Sequence, residues 1–198
     1  MPIWEGNTFV HLTAASAVCG LTSIGAAYCW GYNDYGQLGE GTTTQRDRPT
    51  AVLGGHLFTQ ISMGGSHACG LKASGELWCW GSNNNGALGD GTTTNSSVPV
   101  QVTGGHTFVQ VATGNGHTCA IDDTQTLYCW GWSVYGQLGT GGTGGVIPTE
   151  VSGGYAFASV SAYGDHTCGI TSSGDAYCWG FNSSGQVGDN TTTNRNVP

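Results

Sequence analysis

Apolar and polar positions alternate along this chain in short runs with a period of two, the mark of half-buried strands. Thr107 to Gly114 (TFVQVATG) alternates, His117 to Ile121 (HTCAI) and Leu127 to Gly131 (LYCWG) read as two arms of a hairpin, and Val98 to Val102 (VPVQV) supplies another short strand. That makes four strands in about 50 residues, separated by glycine-rich turns. On the hairpin, Cys129 faces one way, so Tyr128 and Trp130 face the other. The aromatic positions Trp30, Trp80, Trp130 and Trp179, with Tyr28, Trp78, Tyr128 and Tyr177, are therefore expected to pack between sheets.

The pattern then repeats. Cys-Trp-Gly triplets begin at Cys29, Cys79, Cys129 and Cys178, spaced 50, 50 and 49 residues apart. A fixed period in this range marks a propeller, a solenoid or an array. With four short strands per period, the expectation is an all-β propeller-type chain: one repeat domain, residues 1–198, in four four-stranded blades at about 1–48, 49–98, 99–147 and 148–198. The stretch after each triplet (YNDYGQLGEGTTT after the first) looks like a phosphate or cation cradle, but a loop that recurs in every period is a building block. Gly36, Gly39 and Gly41 recur as Gly86, Gly89 and Gly91, where tight turns require positive φ. Asn33, Asn83 and Asn182, with Ser133 in the third copy, are expected to cap these turns through their side chains, and Leu38, Leu88, Leu138 and Val187 to tuck beneath them.

Composition narrows the partners. Only 8% of the 198 residues are charged, 36 are glycine, and the formal charge of −8 sets 12 acids against Arg46, Arg48, Lys72 and Arg195. A phosphate backbone demands clustered Lys and Arg, so nucleic acid is excluded as a partner. No apolar window is long enough to span a bilayer, and the first residues, MPIWEGNTFV, lack the basic start and apolar run of a signal peptide, as expected of a processed or excised chain.

The eight cysteines fall in pairs ten residues apart: Cys19/Cys29, Cys69/Cys79, Cys119/Cys129 and Cys168/Cys178. Folding CGITSSGDAYC about Ser173 sets Cys168 opposite Cys178 and leaves the loop Ser172-Ser173-Gly174, with glycine where such hairpins need a left-handed residue. The construction also gives Ser23-Ile24-Gly25 and Ala73-Ser74-Gly75, with Gln125 the exception. Directly opposite residues lie within disulfide range, so four hairpin-spanning disulfides are predicted. Free buried thiols and thiolate metal binding are the alternatives, the latter favouring cysteines two to four residues apart. Disulfides imply an oxidising compartment: extracellular space, periplasm or cell surface.

Candidate chemistry beyond the cysteines is sparse. His67, His117 and His166 stand two residues before the first cysteine of their repeats, with Ala17 in the first, and each imidazole is expected to satisfy backbone in its own blade. Glu40, Asp90 and Asp189 lie in the recurring loops, but one acid per loop falls short of the six to eight oxygens of a calcium site. No triad or carboxylate pair stands out, so no catalytic residue, metal or cofactor is predicted. Asn95, Asn182 and Asn190 open Asn-x-Ser/Thr sequons, candidate glycan sites alongside the Thr42 to Thr44, Thr92 to Thr94 and Thr191 to Thr193 runs.

The ordered block Gly-x-x-His-Thr-Cys, Tyr-Cys-Trp-Gly, Gly-Gln-Leu-Gly, Pro-Val-x-Val resembles the repeat of the regulator of chromosome condensation family. The third copy, GNGHTCAI…LYCWG…YGQLGTG…IPTEV, carries it fully, and the cysteine pairs look like those of secreted bacterial members. Kelch repeats share the length and the double glycines Gly54-Gly55, Gly104-Gly105 and Gly153-Gly154, but not the Gly-Gln-Leu-Gly block. The resemblance implies blades of about 50 residues, usually seven to a ring, and recognition functions. Four such blades make an open arc. It would be completed by other chains or missing sequence, whereas a tight four-bladed ring would need Ile3-Trp4 to close it. The functional expectation is a secreted or cell-surface, non-enzymatic module that binds a protein or glycan through its loops. A structural subunit assembling head-to-tail into a ring or filament is the alternative, and a hydrolase a distant third.

Overall fold

The computed structural model describes residues 8–198, so the Ile3-Trp4 segment lies outside the described residues. Every regular element in it is a β-strand. The first sheet is β1 (Phe9–Ala14), β2 (Ala17–Thr22), β3 (Ala27–Gly31) and β4 (Arg46–Ala51). The second is β5 (Gln60–Met63), β6 (His67–Leu71), β7 (Leu77–Gly81) and β8 (Ser96–Gln101). The third is β9 (Phe108–Thr113), β10 (His117–Asp122), β11 (Leu127–Gly131) and β12 (Gly145–Glu150), and the fourth β13 (Phe157–Tyr163), β14 (His166–Thr171) and β15 (Ala176–Gly180). Each is an antiparallel meander in sequence order. The fourth sheet has three strands, and a single bridge between Gly180 and Arg195 takes the place of the outermost one.

The proline-bearing segments pair back onto the Cys-Trp-Gly strand of their own sheet, as Cys29↔Thr50 and Cys79↔Val100 show. In consequence β4, β8 and β12 straddle the positions 48, 98 and 147 at which the sequence places the blade limits. Each central hairpin sets its cysteines directly opposite one another, and the four disulfides Cys19–Cys29, Cys69–Cys79, Cys119–Cys129 and Cys168–Cys178 span Cα separations of 4.0 to 4.1 Å. The third loop residue takes positive φ in all four hairpins: Gly25 (85°), Gly75 (85°), Gly174 (94°) and the non-glycine Gln125 (68°).

The sheets stand side by side as blades in an open arc, and the hydrophobic cores are the three junctions between neighbours. Every sheet has a trailing face, bearing the disulfide, and a leading face, bearing the tryptophan. In the second junction Cys69, Leu71, Leu77, Cys79 and Leu88 of one blade meet Phe108, Val111, Ala120 and Trp130 of the next. Trp80, Trp130 and Trp179 are fully buried there, and their indole N–H groups donate across the junction to the carbonyls of Gln37, Ala87 and Gln137 at 2.9 to 3.0 Å. Tryptophan buried with its polar nitrogen satisfied combines large apolar area with a fixed register. The glycine two residues beyond each acceptor makes room: a Cβ on Gly89 would stand 2.5 Å from the Trp130 indole nitrogen. At the junction rim, Trp78, Tyr128 and Tyr177 pack at a tilt of 33° to 40° against His56, His106 and Tyr155, with ring centroids 4.2 to 4.5 Å apart.

Candidate recognition face

The recurring loop is a hydrogen-bonded turn built on its asparagine. Asn83 is fully buried; its Oδ1 accepts from Leu88 N at 2.9 Å while its Nδ2 donates to Asp90 Oδ1 and the Thr92 carbonyl, both at 3.1 Å. Asn33 and Asn182 repeat the pattern against Leu38 and Val187. Gly36, Gly39 and Gly41 hold φ of 80°, 70° and 92°, and Asn190 (60°) stands where the other copies have the third glycine. The acids serve the loop: Glu40 accepts from Thr42 and Arg46, Asp90 from Thr92, and Asp189 from Thr191 and Arg195. In the third copy Ser133 is too short to make these bonds, and its hydroxyl is buried without a partner.

Each of the first three loops is tied to the outermost segment of the next blade around the arc. Gly41 N donates to Ser97 O, Gly91 N to Val146 O and Gly141 N to Asn196 O, at 2.9 to 3.0 Å. On this stiff rim the residue following Cys-Trp-Gly varies: Tyr32, Ser82, Trp132 and Phe181. Trp132, Tyr135 and Phe181 form a chain of rings, with centroids 5.7 and 4.8 Å apart, each partly open to solvent beside the exposed Val134. Tyr32 donates to Asp34 at 2.8 Å, a bond that raises the phenol pKa. Sequence reasoning missed this group because it followed the recurring residues. The signal was the set of positions that vary inside an otherwise recurring motif, Tyr32/Ser82/Trp132/Phe181 and Tyr35/Asn85/Tyr135/Ser184.

The sequence-derived candidates separate. His67 and His117 are fully buried, but neither satisfies backbone in its own blade, contrary to expectation: His67 Nε2 meets Thr118 Oγ1 of the next blade at 2.8 Å, and His117 Nε2 meets Thr167 Oγ1 at 2.9 Å. Thr118 spends its proton on the Ala87 carbonyl and Thr167 on that of Gln137, both at 2.8 Å, so each imidazole Nε2–H must be the donor. The His117 Nδ1 is then a bare acceptor, and it lies buried without a partner. Burial lowers the pKa of His67 to about 4 and of His117 to about 3, the latter helped by the neighbouring His67 and His166. Among the sequons, Asn95 and Asn190 are exposed. Asn182 is not: the Nδ2 that would take a glycan is buried and bonded to Asp189, Thr191 and Thr193, so the folded loop leaves a sugar no room.

Comparison with known proteins agrees with this geometry. The family described as the Regulator of chromosome condensation (RCC1) repeat matches residues 25–71, 74–121 and 126–170, and a second description of the same repeat matches 58–87, 108–137 and 157–186. The human E3 ubiquitin-protein ligase HERC2 is 40% identical over 67 residues, 32% of this chain and 1% of that protein. Human WBSCR16 superposes with a TM-score of 0.89 at 20% identity, over 98% of this chain and 53% of that one. Prp20p of Saccharomyces cerevisiae, studied with its binding to Gsp1p and histones, gives 0.83 at 22% identity, over 98% of this chain and 50% of that one. This chain therefore spans about half the length of these solved relatives, and it belongs to the regulator of chromosome condensation repeat family.

Proposed function

We propose that this chain is a recognition scaffold of an extracellular, periplasmic or cell-surface protein, holding a protein or glycan on the loop face around Trp132, Tyr135 and Phe181. The observation that carries the reading is the contrast on that rim, where a recurrent hydrogen-bonded frame presents rings at positions that vary from blade to blade. Partly exposed aromatics on rigid backbone give contact area at small entropic cost. The disulfides support the compartment, and the acidic charge balance favours a protein or glycan over a nucleic acid. A non-enzymatic role is favoured because His67 and His117 are sealed in blade junctions, held to threonines and neutral near pH 7. Glycans on Asn95, Asn190 or the threonine runs are compatible with the exposure of those residues.

The test is a screen of the 198-residue chain against glycan arrays and panels of extracellular domains, beside the double variant Trp132→Ala/Tyr135→Ala. A ligand held by the parent and weakened tenfold or more in the variant supports the face, since central aromatic contacts are worth roughly 1–2 kcal/mol or more each. Equal binding by both forms overturns it. A second reading, assembly through the ends of the arc, is favoured by the exposed trailing face of the fourth blade, where Ile170 is 47% exposed while its counterparts Leu71 and Ile121 are 3% and 2% exposed.

A further inference from the structure

Each blade junction is closed at three places, two of which are the same throughout. The trailing face offers a carbonyl to the next blade's tryptophan (Gln37 to Trp80, Ala87 to Trp130, Gln137 to Trp179) and a glycine two residues on that receives the indole. The third part varies by junction, and both halves vary together. The second and third junctions pair His67 with Thr118 and His117 with Thr167. The first has alanine on both sides, Ala17 at the histidine position and Ala68 at the threonine position, both buried. A histidine facing alanine would bury an unsatisfied N–H, and a threonine facing alanine would lose the donor to its oxygen, so the pair is kept or dropped as a unit.

The trailing face of the fourth blade repeats the histidine half: His166, the Gln186 carbonyl, and Gly188, whose added Cβ would meet nothing within 4 Å. The leading face of the first blade carries Trp30, less buried than its three counterparts, and Val18 directly opposite it, in the register that holds Thr118 and Thr167 elsewhere. Among the described residues neither the Trp30 indole nitrogen nor the His166 imidazole has a hydrogen-bond partner.

Building on the reading that the arc is open, we propose that the trailing face of the fourth blade is a docking surface for a further blade of this repeat that carries threonine immediately before its first cysteine, and that it selects against a second copy of this chain. A second copy could offer Trp30 to the Gln186 carbonyl and Gly188, which is the contact made at every internal junction. It would also press Val18 against His166 and bury the Nε2–H with no acceptor. A threonine-bearing blade satisfies both groups, so the histidine–threonine pair acts as a code for which blade follows which.

The experiment uses sedimentation of the full chain, its Val18→Thr variant, and Val18→Thr/His166→Ala. Threonine is close to valine in shape, and it equips the first blade with the missing half. Val18→Thr is expected to self-associate about tenfold more tightly than the parent, the worth of one satisfied buried hydrogen bond, and His166→Ala to erase that gain. A folded Val18→Thr chain that gains nothing overturns the code, as does a gain that survives His166→Ala. Oxidative footprinting of Trp30 separates the two levels. If both forms stay monomeric with Trp30 open to oxidation, the code fails; if Trp30 is protected in those monomers, the open arc beneath it fails. An independent arm needs no association: Thr118→Val breaks an existing pair, and an unchanged melting temperature in that variant would equally overturn the proposal.

Discussion

At the scale of single residues, the buried histidines make stability depend on pH in a definite direction. An unfolded histidine binds its proton near the ordinary value of 6.5, whereas burial holds His67 near 4 and His117 near 3. The folded pKa is depressed, so the contribution is present in full above pH 6.5 and is lost as pH falls from 6.5 towards 4 and 3. Between pH 6.5 and 5 each histidine should withdraw about 2 kcal/mol, before most carboxylates begin to protonate. Thermal melts at pH 7 and pH 5 should show the loss, and His67→Gln/His117→Gln should flatten it; a parent chain melting alike at both values would contradict neutral buried imidazoles. The histidines were legible in the sequence as a recurring position, but their partners were not. His67 and Thr118 lie 51 residues apart, and nothing local in either repeat announces a bond across the junction. The trace in the sequence is the joint presence of Ala17 and Ala68 at the first junction, where the second and third have histidine and threonine, a correlation visible only once the blades are aligned in space.

At the scale of the element, local chemistry sets the hairpins, and the sequence shows them plainly. Pairing the cysteines fixes the register, the three-residue loop follows, and its last residue must be left-handed. Gly25, Gly75 and Gly174 meet that need, and Gln125 meets it at φ 68° under strain, held by Phe157 N donating to the Gln125 carbonyl at 2.8 Å. Gln125→Gly keeps that backbone bond and removes roughly 1–2 kcal/mol of left-handed strain, against the larger entropy of glycine in the unfolded chain. The expected result is a net gain of about 0.5–1 kcal/mol, measured as a higher urea midpoint at unchanged slope; a loss would mean that the Gln125 side chain contributes a contact of its own. The asparagine-capped loop was equally readable, because side-chain capping of a turn acts within a dozen residues. The glycan reading of Asn182 failed for the same physical reason: the capping nitrogen and the glycosylation nitrogen are one atom, and a sequon records the second use without showing the first.

At the scale of the whole molecule, the repeat makes each blade half an interface, and the arc ends wherever a face meets no neighbour. The disulfides report this. Cys19, Cys29, Cys69, Cys79, Cys119 and Cys129 are fully buried because a following blade covers each trailing face. Cys168 and Cys178 are only partly buried, beside the exposed Ile170 and Ala176. Thiol–disulfide exchange needs a thiolate to reach a sulfur along the S–S axis, so access sets the rate when four bonds of the same ring size are compared in one chain. Mild reduction under native conditions, followed by thiol labelling and peptide mass spectrometry, should therefore open Cys168–Cys178 first, by an order of magnitude or more over the other three bonds. The covered bonds should open only at the rate at which their junctions part, and urea below the unfolding midpoint should hasten them while leaving Cys168–Cys178 nearly unchanged. A blade docked on the trailing face would bring Cys168–Cys178 into the slow class. Equal rates at all four bonds in the isolated chain would mean that something already covers the end of the arc, and the open-arc architecture would have to be abandoned.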